Sequence, residues 1–209
     1  MPKPNNKRDK KHSASETETG SSEDAQAAFP IVGIVASAGG LNAFKSFFKH
    51  MPANSNMAFV LVPHLDPDHQ SLMVELLAKQ TDMPVCEVSD NMRVEPNHVY
   101  IIPPARFMTL QQGKLLLSKP PEKRVAETAI DNFLRSLGED QAERAIGIVL
   151  SGTGSHGSVG LQAIKANGGM TMVQNPDTAE YDRMPQNAID TGCIERRPVA
   201  FQRRYNDRR

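Results

Sequence analysis

The sequence predicts an α/β fold, with a mostly parallel, doubly wound sheet, helices on both of its faces and a β-hairpin-rich insertion. The first observation behind this prediction is that strand-like apolar runs alternate with amphipathic, helix-like segments near both ends of the folded region. The second is a group of short apolar runs in the middle of the chain, where Gln112-Gly113 indicates a hairpin turn.

The first two strand–helix pairs come before residue 81. The run IVGIVA (31–36) is apolar throughout, which is typical of a strand buried on both faces of a sheet. A helix is predicted from Leu41 to Met51, because apolar residues recur at helical spacing and Pro52 follows them. AFVLVP (58–63) predicts a second strand, and HQSLMVELLAKQ (69–80) predicts a second helix with its apolar pairs on one face.

The rest of the domain is predicted as a β-rich insertion followed by a return to strand–helix alternation. The insertion consists of four short apolar runs: PVCEV, HVYIIP, FMTLQ and KLLLS. After it, 127–138 predicts a helix and AIGIVL (145–150) a strand. A glycine-rich turn, a helix ending near Asn167 and a strand over 170–174 complete the predicted sheet.

Composition separates this folded region, 30–195, from two tails. Residues 1–29 contain almost no large apolar side chain, so a disordered polar tail is predicted there, and 196–209 is predicted as a basic tail. Lysine plus arginine equals aspartate plus glutamate at 24 each, which gives no electrostatic reason to expect a nucleic acid partner. Neither a membrane span nor the apolar core of a signal peptide is present, so a cytoplasmic protein is expected. The oligomeric state is not predicted.

The two cysteines are predicted to be buried free thiols. Cys86 and Cys193 form no C-x-x-C pair, and their spacing is not that of metal ligands. We therefore expect neither a metal nor another cofactor.

Polar residues that follow the predicted strands suggest acyl transfer, because the carboxyl ends of parallel strands meet at one edge of a sheet. Ser37 follows the first strand and would be the nucleophile, with the backbone N–H groups of Ala38 and Gly39 placed to stabilise an oxyanion. His64 follows the second strand and would be the general base. His156 lies in the turn after the strand 145–150.

Each of these residues also has a simpler interpretation. Ser37 could be only a helix N-cap, and His64 only a turn residue. The G-x-S-x-G elbow of α/β-hydrolases is absent, because Val35 stands at its first glycine. The segment 152–157 spells G-x-G-x-x-G, with Asp177 about 20 residues on, as in dinucleotide-binding folds. That unit normally begins a domain, whereas only about 50 residues follow it here.

Five separated segments resemble the catalytic domain of chemotaxis protein-glutamate methylesterases (CheB-type), in the same order and spacing over about 30–195. They look closest to versions fused to a receptor methyltransferase. The segments are VGIVASAGG, VPHLDPDH, VYIIPPARFM, GIVLSGTGSHGSVG and NPDTAEYDRMPQNAIDTGCI. The resemblance implies a Ser-His-Asp hydrolase that cleaves glutamate γ-methyl esters on chemoreceptor helices and deamidates certain receptor glutamines.

The resemblance also assigns roles to individual residues. Ser37 and His64 match the family's nucleophile and base, while Thr153 and Gly154 lie in the turn that helps to build its oxyanion site. The substrate cleft is expected at Arg106, Met184 and Pro185. No cofactor is implied, and the implied partner is a methylated chemoreceptor helix or a similar protein substrate.

This chain departs from the family at the third member of the triad. His156 stands where the family has an aspartate, Arg183 where it usually has glycine, and Glu195 where an aspartate is common. A neutral imidazole can orient the base but adds no negative charge to stabilise the imidazolium. Replacing the acid of such a triad by asparagine can lower turnover by about 10⁴-fold, because asparagine enforces the wrong tautomer of the base.

We therefore expect weakened esterase activity on an intact scaffold. Three nearby aspartates are candidates to replace the missing charge: Asp66, Asp68 and Asp177. The alternative is a regulatory module that binds a receptor or another partner without chemistry.

Overall fold

The computed structural model describes Met1 and residues 29–63, 72–120 and 128–195. The strands are β1 (Ile31–Ala36), β2 (Ala58–Pro63), β3 (Val85–Glu87), β4 (Met92–Arg93), β5 (Val99–Ile101), β6 (Phe107–Gln111), β7 (Lys114–Ser118), β8 (Ala145–Val149) and β9 (Met170–Val173). The α-helices are α1 (Gly40–Phe48), α2 (Met73–Ala78), α3 (Ala129–Gln141), α4 (Ser158–Ala166) and α5 (Arg183–Asp190). The predicted α/β class is confirmed.

A six-stranded parallel sheet has the order β3-β5-β2-β1-β8-β9, so β1 lies at its centre. From β1 the chain continues outward through β2 on one side, and it returns to the other side of β1 only at β8. The strand order therefore reverses between β1 and β8. In sheets of this type, ligands bind in the crevice at the carboxyl ends of the strands where the order reverses.

The β-rich insertion is smaller than predicted. A separate antiparallel sheet has the order β4-β7-β6, and its β6–β7 hairpin turns at Gln112-Gly113 as expected. The runs 84–88 and 98–103, which were predicted as part of the insertion, instead supply β3 and β5 of the main sheet. Short apolar runs do not specify their pairing partner, which explains why the prediction was wrong at this point.

Helices cover both faces of the main sheet, as predicted. On one face, α1 and α2 pack against alternate residues of the central strands, with the large side chains Phe44, Phe48, Phe59 and Met73 fully buried. On the other face, α3, α4 and the small sheet pack around Phe133, Leu110 and Leu161. The apolar residues of β1 alternate between these two clusters, because successive side chains of a strand point to opposite faces.

The helices differ from the prediction mainly at their ends. Helix α1 ends at Phe48 and not at Met51, and α3 begins after the N-cap Thr128 and extends to Gln141. The part of the second predicted helix that precedes Leu72 lies outside the described residues. Helix α5 was not predicted; it contains Pro185 in its first turn, where the missing N–H costs no intrahelical hydrogen bond.

Side chains of α3 cover the outer edge of β6. Asn132 donates to the Met108 carbonyl at 3.2 Å, and Ser136 Oγ accepts from the Leu110 N–H at 3.0 Å. One turn further on, the Asp140 carboxylate accepts from the backbone N–H groups of the Gln112-Gly113 turn. The three side chains are four residues apart along α3, and their partners are about two residues apart along β6. Four residues of helix and two residues of strand span similar distances, so each side chain meets its own partner. The edge is thereby protected from pairing with another chain.

Both cysteines are free but only half-buried, which corrects the prediction that they are buried. Burial raises the pKa of the Cys86 thiol. Phe29, which was assigned to the N-terminal tail, packs against the core and belongs to the folded region. The rest of that tail apart from Met1, and the predicted tail at 196–209, lie outside the described residues. Among those residues, no helix has both the length and the apolar character that a membrane crossing requires.

Candidate active site

Ser37 lies at the carboxyl end of β1, beside β8, where the strand order of the sheet reverses. Its N–H donates to the Ser151 carbonyl at 3.0 Å, so the chains leaving β1 and β8 are joined directly above the sheet. The residue is buried, with 6% of its surface exposed. This position is the ligand-binding crevice expected for a parallel sheet of this topology.

The turn from β1 into α1 is tight. The Ser37 carbonyl accepts from the Gly40 N–H at 2.8 Å, and Gly39 is the N-cap of α1 with a left-handed φ of 71°. A Cβ on Gly39 would lie 2.8 Å from Ser151 Oγ and 2.9 Å from the Glu180 Cβ. The N-cap of α1 is Gly39, two residues after Ser37, so the interpretation of Ser37 as the N-cap is wrong.

Ser151 joins the loops that surround this turn. Its hydroxyl donates to the Ala38 carbonyl at 2.9 Å and accepts from the Tyr181 N–H at 3.0 Å. Its own N–H donates to Oε1 of the buried Gln174 at 2.9 Å. With 1% of its surface exposed, Ser151 is a structural hydroxyl that fixes three chain segments relative to one another.

Gly152 brings the second glycine-rich turn against Ser37. A Cβ on Gly152 would lie 3.0 Å from the Ser37 Cβ and 2.5 Å from the Met184 sulfur. The Gly152 N–H donates to the Tyr181 carbonyl, and its carbonyl accepts from the Met184 N–H, each at 3.0 Å. Ser37, Gly152 and Met184 are therefore in one packed group, while the role of Met184 in a substrate cleft stays a prediction.

The change Gly152→Ala is expected to destabilise this group. The added methyl group overlaps the Met184 side chain, which is fully buried, and crowds Ser37. Overpacking of this kind costs about 1–3 kcal/mol, which denaturant unfolding measures directly. Because Met184→Ala itself removes a buried side chain at a cost of about 2–5 kcal/mol, the overlap shows as non-additivity: Gly152→Ala should cost less in the Met184→Ala background than in the wild type. An unfolding midpoint that Gly152→Ala leaves unchanged would contradict the packing described above.

Thr153, Gly154 and His156 lie further out in the same turn. Thr153 and Gly154 are exposed, and the Gly154 carbonyl accepts from Asn187 Nδ2 at 2.6 Å. His156 is half-buried, and its ring folds back towards Gly154, with Nε2 3.8 Å from the position a Gly154 Cβ would take. The turn thus presents its backbone outward beside Ser37.

Arg106 lies at the carboxyl end of β2, next to β1 in the sheet. It is exposed at a cavity of about 340 Å³, which is also lined by Pro63, Phe107 and Thr128 at the carboxyl end of β2. Neither Ser37 nor Met184 is among the described residues that line the cavity. Pro185, by contrast, is buried in the first turn of α5, next to Met184.

His64, Asp66 and Asp68 lie outside the described residues, so their predicted roles remain predictions. In the pairing of β1 with β2, Ala36 lies opposite Pro63. Ser37 directly follows Ala36 in the chain, and His64 directly follows Pro63.

The remaining positions singled out in the sequence are exposed. Asp177 is exposed in the short 3₁₀ turn 176–178, and Arg183 is the exposed first residue of α5. Glu195 forms an ion pair with Lys165 and so has a structural contact of its own. No group of three His, Cys, Asp or Glu side chains suited to a metal occurs in the part of the chain that is described.

Several residues around the site were not predicted from the sequence. Besides Gln174 and Tyr181, they include Glu180, whose carboxylate accepts from Asn42 Nδ2 at 3.2 Å beside Gly39. Asp131 of α3 binds the backbone at the start of α4. Only Gln174 carried a usable signal, because it is the last residue of the predicted strand 170–174.

Comparisons with known proteins agree with this geometry. The family model for CheB methylesterase matches residues 32–202. A putative protein-glutamate methylesterase/protein-glutamine glutaminase of Leptospira interrogans is 28% identical over 166 residues, which cover 79% of this chain and 85% of that protein. The crystal structure of the Thermotoga maritima CheB methylesterase catalytic domain superposes with a TM-score of 0.75 at 25% identity, covering 83% of this chain and 94% of that one.

A further relative is much longer than this chain. An uncharacterized 104.1 kDa protein of Rhodobacter capsulatus is 44% identical over 123 residues, which cover 59% of this chain. The matched segment spans only 13% of that protein. A related domain therefore occurs within a larger polypeptide.

Proposed function

This chain belongs to the CheB methylesterase family, and from that membership we propose that it hydrolyses γ-methyl esters of glutamyl side chains in proteins. Deamidation of glutamine side chains is a second reaction of the same proposed site, because both reactions transfer an acyl group to water. The observation that supports this most directly is the position of Ser37, at the crevice of the sheet and packed against Gly152 of the second turn.

In the proposed reaction, Ser37 Oγ attacks the ester carbonyl while His64 takes the hydroxyl proton. The tetrahedral intermediate collapses as the protonated His64 returns that proton to the methoxy oxygen, and methanol leaves. A water molecule then attacks the acyl-enzyme with His64 again as base, which releases the glutamate and regenerates Ser37. No cofactor takes part in these steps.

The oxyanion of the intermediate is proposed to bind between the two glycine-rich turns. Backbone N–H groups at Ala38 and Gly39 lie at the start of α1, where the helix dipole favours negative charge. The backbone at Thr153 and Gly154 supplies the other side, because this exposed turn begins directly beside Ser37. Such donors contribute a factor of about 10²–10³ each in related acyl-transfer sites.

His156 is the reason to keep a second candidate function. Without a carboxylate at this position, the imidazolium that forms on His64 has less stabilisation, and turnover is reduced. A chain in which this loss is complete would retain the fold and serve as a partner-binding regulatory module. A rescue by Asp66, Asp68 or Asp177 would preserve turnover.

The proposed substrate is a methylated chemoreceptor helix or a similar protein helix, reached in the cytoplasm. Met184 and Pro185 are proposed to border the cleft on the side of Gly152, and Arg106 to border it on the side of β2. The arginine would favour a substrate surface that carries carboxylates.

The test is methanol release from a methylated receptor fragment, combined with labelling by a serine-directed acyl-ester probe. Methanol release together with labelling at Ser37 supports the esterase. Binding of the receptor peptide with neither methanol nor labelling supports the regulatory module. Failure of all three readouts would overturn both candidates.

A further inference from the structure

Asp131 is a buried carboxylate that joins α3 to the beginning of α4. Its exposed fraction is 6%, and Oδ1 accepts from the Gly157 N–H at 2.9 Å and from the Gly160 N–H at 3.0 Å. Oδ2 accepts from Thr128 Oγ1 at 2.6 Å. A buried charge is costly unless hydrogen bonds satisfy it, and here three donors do so.

The beginning of α4 needs a hydrogen-bond acceptor from another element, because the turn before it supplies no capping side chain. Gly157 is the N-cap of α4, with a φ of 87°, and it provides no side chain to cap the helix. A Cβ at this position would lie 3.1 Å from both Val149 and Val35, so a serine or aspartate could not replace it without displacing the core. The N–H groups of Gly157 and Gly160 therefore depend on the carboxylate of Asp131 in place of a local cap.

The carboxylate holds one end of the turn that borders Ser37. The other end is held at Gly152, through its two backbone hydrogen bonds to Tyr181 and Met184. Between these fixed points lie Thr153 and His156, which the proposed function places at the oxyanion site and at the acid position.

We infer that Asp131 is a positioning residue, which fixes the distal end of the 152–157 turn and so keeps the turn's backbone aligned with Ser37. This inference rests on the proposed function for its catalytic consequence. Asp131 acts through the turn, because the hydrogen-bond partners of its carboxylate are backbone N–H groups at the start of α4 and the Thr128 hydroxyl. Its loss should lower kcat and leave KM nearly unchanged, since misaligned oxyanion donors affect the transition state more than binding.

The first measurement is amide hydrogen exchange in the full chain, which needs no catalytic activity. Asp131→Ala is expected to speed exchange of the Gly157 and Gly160 amides by at least tenfold. Asp131→Asn keeps an acceptor oxygen and should remain within about threefold of the wild type. The matched control is Asp140→Ala, which removes a carboxylate of the same helix from the Gln112-Gly113 turn and should speed exchange only there.

Unchanged exchange at Gly157 and Gly160 in Asp131→Ala would overturn the inference, and so would an equal increase in Asp140→Ala. If Asp131→Ala does not fold, Thr128→Val decides. It removes the bond to Oδ2 and the cap bond to the Asp131 N–H while leaving both bonds to Oδ1. A threefold to tenfold increase at the same two amides is expected, and unchanged exchange there would overturn the inference.

The second measurement is kcat per active site, with the sites counted by a serine-directed probe so that unfolded protein does not contribute. Asp131→Ala should lose about 10–100-fold in kcat at constant KM, Asp131→Asn should recover most of it, and Asp140→Ala should match the wild type. Faster exchange with unchanged kcat would overturn the positioning role. A wild-type chain without esterase activity would refute the proposed function instead, and exchange alone would then decide whether Asp131 holds the turn.

Discussion

Replacing Ser37 by alanine is expected to lower ester hydrolysis by about 10⁴-fold or more, because the reaction loses its nucleophile and with it the acyl-enzyme. The fold should be retained, since the backbone N–H and carbonyl of Ser37 make the hydrogen bonds that shape the turn. Methanol release and circular dichroism of the same preparation measure the two effects.

Ser118→Ala is the matched control for this experiment. Ser118 is an exposed serine at the end of β7, in the small sheet, and its loss should leave the rate unchanged. Activity that survives Ser37→Ala would move the nucleophile elsewhere and remove the main support for the proposed mechanism.

The second large effect is a gain of activity. His156→Asp is expected to raise kcat by about 100-fold or more, because it restores a negative charge beside the proposed base and stabilises the imidazolium formed during attack. KM should change little, since the charge acts in the transition state. The measurement is the rate of ester hydrolysis per labelled serine, before and after the substitution.

His156→Asn separates charge from size in this experiment. Asparagine has nearly the same shape as aspartate but carries no charge, so it should produce no increase. Equal rates for the wild type and His156→Asp would show that the acid position is irrelevant here, or that another carboxylate already supplies the charge. An equal gain from aspartate and asparagine would exclude the electrostatic explanation.

The elements whose signal is local were predictable from the sequence. The strands β1 and β2 are uniformly apolar, and the turn at Gln112-Gly113 joins two short apolar runs, so both features followed from residues a few positions apart. Helix α5 was missed because RMPQNAID has few apolar residues and an internal proline, which reads as a loop. The pairing of β3 and β5 with the main sheet depends on contacts with distant strands, which no local pattern encodes.

The residues of the candidate site were likewise predictable only where their sequence signal is local. Ser37 and the 152–157 turn were found because they follow strands, and their proximity follows from the parallel sheet. Asp131 was not found; half of its hydrogen bonds are local ones to Thr128, at the beginning of its own helix. Its bonds to α4 depend on how two helices pack. The role of His64 remains a prediction from its place after β2.

The central position of β1 has a consequence for how the molecule is made. One neighbour of β1 follows within 30 residues, but the other, β8, is translated more than a hundred residues later, and Ile31 pairs with Ala145. Pairings between such distant segments slow folding, because a long chain must be closed before the contact forms. The nascent polypeptide can therefore present Ser37 early in synthesis, yet it cannot assemble the pocket around it until β8 has left the ribosome.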